Sequence, residues 1–419
     1  MTDALSLDNP IIIVGSGHAG VATAAALRAQ GWHGGITLID EQGCLPYERP
    51  PLSKEALLAA AEAGTVTHKP LRKESYFETK GIERIANVRV ESISTAGYTI
   101  RLDDGRTLGY HRLVIATGAR GRQFDVPGAT LPGVFALRTA QDAERLNEAL
   151  VPGSKLIVIG AGYIGMEVAA SASKRGCEVQ VLEFQDRAMK RVTSAVVSEH
   201  FQRLHADHGV QFAFGVAVSE VQGDEKVERI VTNDGQVFDA DIVVAGIGVI
   251  PNEELAAAAG IECRNGILVD EHCRTSDPAV YAAGDVTRFV AADGSDLRLE
   301  CLQNATQQAE IVAASIMGKQ RKELEVPWFW TVQFDRRLQT AGVMRPDDEI
   351  VVRGDSHSEQ FTVCYLRDGA LAAVDTIGSL TDFRQAKKLI LAGAVMDRDL
   401  LTNPDNRLDE CVASDAFTR

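Results

Sequence analysis

Two glycine triplets have the spacing of a chemical site. Gly15-Ser16-Gly17-His18-Ala19-Gly20 and Gly160-Ala161-Gly162-Tyr163-Ile164-Gly165 share the pattern Gly-x-Gly-x-x-Gly, about 145 residues apart. A backbone bare of side chains at these points lets a diphosphate come close, provided that the turn opens a helix whose free N–H groups face it. The first glycine of each triplet makes the tight turn, the second admits the phosphates, and the third lets helix and strand pack closely. A carboxylate roughly 20 residues further on can accept hydrogen bonds from a ribose. Asp40-Glu41 and Glu183 stand at those places.

The elements that must position these groups are legible. Residues 11–14 form a short apolar, β-branched run of the kind found in buried parallel strands. An alanine-rich stretch to Gln30 reads as a helix, and residues 36–39 as the next strand. The second triplet repeats this order, with strand 156–159, helix 166–174 and strand 179–182. Two such turns, each in full strand–turn–helix–strand–acid context, imply two bound dinucleotides. FAD and a nicotinamide cofactor are the common pair.

Composition narrows the setting. Of 419 residues, 45% are hydrophobic and 24% charged, the balance of a soluble globular protein of two or three domains. The net charge of -15 argues against a nucleic-acid partner, which needs a basic face. No apolar run approaches the ~20 residues of a membrane helix, and residues 1–10 carry no basic and apolar export signal. The seven cysteines, at 44, 177, 263, 273, 301, 364 and 411, include no Cys-x-x-Cys, so neither a redox pair nor a metal site is expected. Their scattered, odd number suits the reducing cytoplasm.

Two further segments carry a resemblance. Ala116-Thr117-Gly118 ends an apolar run, and residues 275–285 end in Gly284-Asp285. With the two glycine turns they resemble the large family of two-dinucleotide flavoprotein reductases, over residues 8–330. The resemblance implies an α/β fold of two Rossmann-like dinucleotide-binding domains, glutathione-reductase-like, with a small C-terminal α+β domain. It implies FAD at the first turn (residues 1–118 and 245–326) and the nicotinamide nucleotide at the second (119–244). Asp285 then bonds the ribityl or pyrophosphate part of FAD, and Ala116-Thr117-Gly118 links the domains. Alignment of the strand ends favours Asp40 as the FAD ribose acceptor, whereas the family pattern favours Glu41, which is preferred here. Glu183 accepts from a 2′-hydroxyl and repels a 2′-phosphate, which selects NADH. Arg187 and Arg191 are the nearby cations.

Pro46-Tyr47-Glu48-Arg49-Pro50-Pro51-Leu52-Ser53-Lys54 sharpens the resemblance. It is similar to the ferredoxin, putidaredoxin and rubredoxin reductases of oxygenase systems, including dioxygenase reductase components, and in part to apoptosis-inducing factor. Disulfide reductases have a cysteine pair in this region; this chain has none. Electrons must then go from reduced flavin to an outside acceptor, singly to a [2Fe–2S] ferredoxin or to rubredoxin, because the chain lacks cluster ligands of its own. The resemblance puts Lys54 near the reactive edge of the flavin, Glu167 near the nicotinamide, and Arg49 against the flavin.

The last third, residues 327–419, is expected to form the α+β domain, with a strand near 361–365, a turn at 367–369 and a helix at 382–392. Trp328-Phe329-Trp330 resembles the start of the reductases' C-terminal domain, with Trp328 as a cofactor contact and Trp330 covering the flavin near the exit surface. The family more often has Ser-Asp-Gln where this chain has Thr331-Val332-Gln333. Arg336 and Arg337 could steer an acidic ferredoxin. Two rival readings are an NADH oxidase or peroxidase using Cys44, and an NADH-sensing interaction flavoprotein.

Overall fold

The computed structural model describes residues 9–63, 66, 68–290, 296–320 and 323–413. Most of the N-terminal stretch read for an export signal, residues 1–8, lies outside them. The chain divides into two compact units. One comprises Met1–Glu48, His68–Arg120 and Val249–Glu325; the other comprises Arg49–Thr67, Gly121–Gly248 and Val326–Arg419. Among the described residues no helix is long and apolar enough to cross a membrane.

The first unit is built on a five-stranded parallel sheet. Its strands run in the order Val280–Ala282, Arg112–Ile115, Ile11–Val14, Ile36–Asp40, Ile82–Ala86. The apolar run at 11–14 is uninterrupted because both of its faces are buried. Ile11 and Ile13 pack with the helices His18–Ala29 and Leu302–Ile316, while Ile12 and Val14 pack on the opposite side with Ile93, Ile100 and Leu102 of an antiparallel three-stranded sheet.

The second unit repeats the parallel sheet, in the order Gln211–Phe214, Glu178–Glu183, Lys155–Ile159, Ile242–Ala245, Val134–Phe135. Helix Tyr163–Lys174 follows its central strand. The same unit holds an antiparallel five-stranded sheet, in the order Trp328–Gln333, Arg336–Gly342, Ala370–Ile377, Phe361–Arg367, Glu349–Gly354. Helix Leu380–Leu391 covers this sheet through Phe383 and Ala386. It starts two residues before the expected 382, because the Ser379 side chain caps it on the Asp382 N–H. The turn at 367–369 closes a hairpin, with Asp368 at φ 51° and Gly369 at φ 80°.

Candidate functional site

Each unit carries one glycine turn, and the two are built alike. Gly15 and Gly160 adopt φ of 104° and 96°, and a Cβ at either would clash with a carbonyl oxygen, of Ala116 or Gly246 respectively. At Gly20 and Gly165 a Cβ would strike the carbonyl of the first glycine of its own turn. Gly162 is different: its φ is ordinary and, apart from its own stretch of chain, no atom lies within 4 Å of where its Cβ would stand. The protein itself does not require glycine there. The open space lies at the start of helix Tyr163–Lys174, whose first turn has no side-chain cap and no acid. Helix His18–Ala29 begins in the same way at Gly17. Helix Leu302–Ile316 also starts without a side-chain cap or an acid, whereas Thr139, Ser194, Ser379 and Asp397 cap their helices with side chains. Helix starts without a side-chain cap or an acid suit a dinucleotide diphosphate, so both turns fit the expected cofactors.

Around the first turn, Ala19 is buried and faces Gly284, while His18 is half-buried. Gly284, at φ 85°, donates its N–H to the Gln308 side chain at 2.8 Å, and Asp285 next to it is half-buried. Ala116 continues the sheet by donating to Val14 O, Thr117 exchanges two bonds with Asn252, and Gly118 turns at φ 66°. The strand register separates the two acids. Asp40 follows Ile39 as Glu183 follows Leu182, and its carboxylate accepts from the Ser16 hydroxyl inside the turn. Glu41 lies one residue on and is exposed.

Around the second turn, Glu183 is fixed by the N–H groups of Ala161 at 2.6 Å and Gln185 at 2.8 Å. Ile164 and Phe184 are exposed, the latter by 69%. Arg187 is consumed internally. Its guanidinium bonds the Ser198 hydroxyl and the carbonyls of Lys190, Thr193 and Ser194, so it is not turned toward a 2′-phosphate. Arg191 is exposed.

Lys54 and Glu167 meet at 2.8 Å, with side chains 11% and 2% exposed. Glu167 belongs to helix Tyr163–Lys174 and Lys54 to the end of the short helix Pro50–Ser53. The carboxylate gains two more donors that the sequence reading missed: Ser53 Oγ at 2.5 Å and Thr331 Oγ1 at 2.6 Å. A buried ion pair holds when its remaining lone pairs are satisfied in this way. The Thr331 bond also shows what threonine keeps where serine is commoner, namely the hydroxyl. Behind the pair lies a pocket of about 140 Å³, whose lining includes Glu55, Lys174 and Val332. Arg49 is half-buried at the start of the same short helix.

Strand alternation sorts the aromatic residues. Phe329, Thr331 and Gln333 share one face of Trp328–Gln333, where Phe329 meets Tyr163 with ring centroids 4.6 Å apart. Trp328 and Trp330 share the other face, 5.5 Å apart. Trp328 packs on Phe383 and under Lys387, at the core of the C-terminal sheet. Arg336 is engaged by Asp335 and Glu359, while Arg337 is exposed. Cys44 is exposed on the loop after Asp40.

Comparison with known proteins agrees with this architecture. Residues 9–309 match the pyridine nucleotide-disulphide oxidoreductase model, and residues 328–412 match a reductase C-terminal model. The chain is 40% identical to the probable ferredoxin reductase CtmF of Castellaniella defragrans, over 96% of this chain and 98% of that protein. It is 37% identical to the putidaredoxin reductase CamA of Pseudomonas putida, over 98% of each. Among solved structures, the reductase in a covalent putidaredoxin reductase–putidaredoxin complex superposes with a TM-score of 0.92 at 37% identity, over 96% of this chain and 98% of that one. Two glycine turns, a matching C-terminal domain and end-to-end similarity lead to one conclusion: the chain belongs to the pyridine nucleotide-disulphide oxidoreductase family, whose members use FAD and NAD(P)H.

Proposed function

We propose that the chain is a cytoplasmic NADH:ferredoxin reductase that supplies an oxygenase system. The observation that carries this reading is similarity along nearly the whole chain, C-terminal domain included, to reductases named for ferredoxin-type partners. In this reading residues 1–118 and 245–326 hold FAD, 119–244 hold NADH, and 327–419 form the C-terminal domain. Bound there, FAD would supply a hydride acceptor for NADH and a release of electrons one at a time. A [2Fe–2S] ferredoxin suits that single-electron exit, with rubredoxin as the second choice.

The residues divide the work. The helix starts at Gly17 and Gly162, which no side chain caps, hold the two diphosphates. Glu41 is assigned to the FAD ribose, with Asp40 at the strand end as the alternative, and Asp285 to the ribityl or pyrophosphate part. Glu183, locked by two backbone N–H groups, accepts from the NADH ribose and repels a 2′-phosphate. Lys54 presents a cation whose direction is set by Glu167, Ser53 and Thr331. Hydride transfer needs no general base, so the pair contributes by orienting the reacting rings. Arg49 is assigned to the flavin, and Trp330 to the exit side.

The test is NADH-driven cytochrome c reduction with and without a purified [2Fe–2S] ferredoxin. The proposal expects strong dependence on ferredoxin. NADH consumption that ignores ferredoxin would favour the oxidase or sensor readings instead.

A further inference from the structure

The second unit contains a buried carboxyl group that the site above does not use. Asp375, in the strand Ala370–Ile377, is 2% exposed. Its Oδ2 accepts from the hydroxyls of Thr193 and Tyr365, the latter at 2.5 Å, and the Tyr365 oxygen accepts the Ser194 N–H at 3.0 Å. Among the described residues its hydrogen-bond partners are these two hydroxyls, with no cation. A carboxyl so placed is costly to ionise, and burial pushes it up to about 6. A local rule broken at this cost points to a job done by what the group holds.

Asp375 holds the end of a strap, residues 187–194, that leads into helix Ala195–Asp207. Midway along the strap, Met189 is 3% exposed at φ 52°. It donates its N–H to Ala161 O, inside the second glycine turn, at 2.9 Å, and accepts the Thr193 N–H at 3.1 Å. Arg187 staples the strap to itself through the Thr193 and Ser194 carbonyls. A continuous path of bonds thus runs from Asp375 through Thr193 and Met189 to Ala161. Electrostatics join the same places. Burial first, then the charge of Asp375, pushes the hydroxyl of Tyr163, the residue after Gly162, well above the usual tyrosine range.

We propose that Asp375, with Tyr365 and Thr193, is a positioning residue for the pyridine nucleotide: it fixes the 187–194 strap against the turn at Gly160–Gly165. The proposal rests on reading that turn as the nucleotide site. It assigns to the C-terminal sheet a share in nucleotide affinity in addition to its other roles.

The test uses the holoenzyme and its Asp375→Val, Asp375→Asn, Tyr365→Phe and Thr193→Val variants. Thr362→Val is the control; that hydroxyl is equally buried but bonds Asp382, away from the strap. NAD+ affinity is measured by equilibrium titration, KM and kcat with NADH, and thermal melting alongside. Losing a charge-assisted bond is expected to weaken NAD+ binding and raise KM for NADH about tenfold, with kcat held within about twofold. Asp375→Asn, which keeps an acceptor, should restore most of the affinity. Thr362→Val should lower the melting temperature without moving KM. If Asp375→Val does not fold, Tyr365→Phe and Thr193→Val carry the test. Variants that only melt earlier, with NAD+ affinity and KM unchanged, overturn the proposal. Glu183→Ala separates the two levels. If it weakens binding and the strap variants do not, the strap proposal alone falls; if none of them does, the nucleotide site itself has been misassigned.

Discussion

Glu167 gathers three donors, from Lys54, Ser53 and Thr331, with almost no water. Hydrogen bonds to a charged group contribute about 1.5–3 kcal/mol each, so Thr331→Val should lower the unfolding free energy by roughly that amount, and Thr331→Ser should restore it. Urea unfolding of both variants checks this; a Thr331→Val curve identical to wild type would mean that the carboxylate is held without it. At the other turn, Glu183→Ala should erode the preference for NADH over NADPH, read as the ratio of kcat/KM values, and an unchanged ratio would count against its role. The sequence pointed to Lys54 and Glu167 through a motif, but it could not reveal Ser53 and Thr331 as their partners. A hydroxyl has no spacing rule, and these bonds span 114 and 164 residues. The Arg187 guanidinium was equally illegible, since nothing in the residue order says whether it turns inward or outward.

Elements were easier to read than side chains, because burial imposes periodicity. The runs at 11–14 and 156–159 are apolar throughout because each strand is covered on both faces. Helix starts were less exact: Tyr163–Lys174 begins three residues before the expected 166, since its first turn is the phosphate turn itself. Packing between elements also sets an electrostatic balance that no segment shows alone. His205, in helix Ala195–Asp207, lies 2.9 Å from Gln333 Oε1, and burial pushes it down to about 4 from 6.5. Its share of stability is complete above pH 6.5 and is lost as pH falls toward about 4. Asp375 runs the other way. Its share is complete below 3.8 and is lost as pH rises through about 6. Each shift corresponds to roughly 3 kcal/mol, so the two oppose each other in that window. His205→Gln should therefore make stability fall as pH rises from about 4 to about 6. Asp375→Asn should make stability rise over the same range. Unfolding midpoints measured across that range decide; parallel profiles for wild type and both variants would contradict the balance.

Over the whole molecule, the two dinucleotide folds and the C-terminal domain were legible because each has a strong local pattern. Contacts group the chain in a way that its order does not show. Arg49–Thr67 belongs to the second compact unit, although it follows directly on the strand and acid of the first. Contacts made far along the chain decide such membership, and residue order does not encode them visibly. Cys44 is exposed, and if flavin passes electrons outward without a cysteine, Cys44→Ser should leave NADH-driven ferredoxin reduction unchanged; loss of peroxide turnover in that variant would support the oxidase reading instead. Electron flow from NADH through flavin to ferredoxin is tested most sharply by anaerobic double mixing of wild type and Lys54→Ala, first with NADH and then with [2Fe–2S] ferredoxin, following the visible absorbance of flavin and cluster. Fast flavin bleaching is expected in wild type, slowed in Lys54→Ala, with recovery of the flavin as ferredoxin is reduced. Equal bleaching rates in the two proteins, or flavin that ferredoxin does not reoxidise, would contradict it.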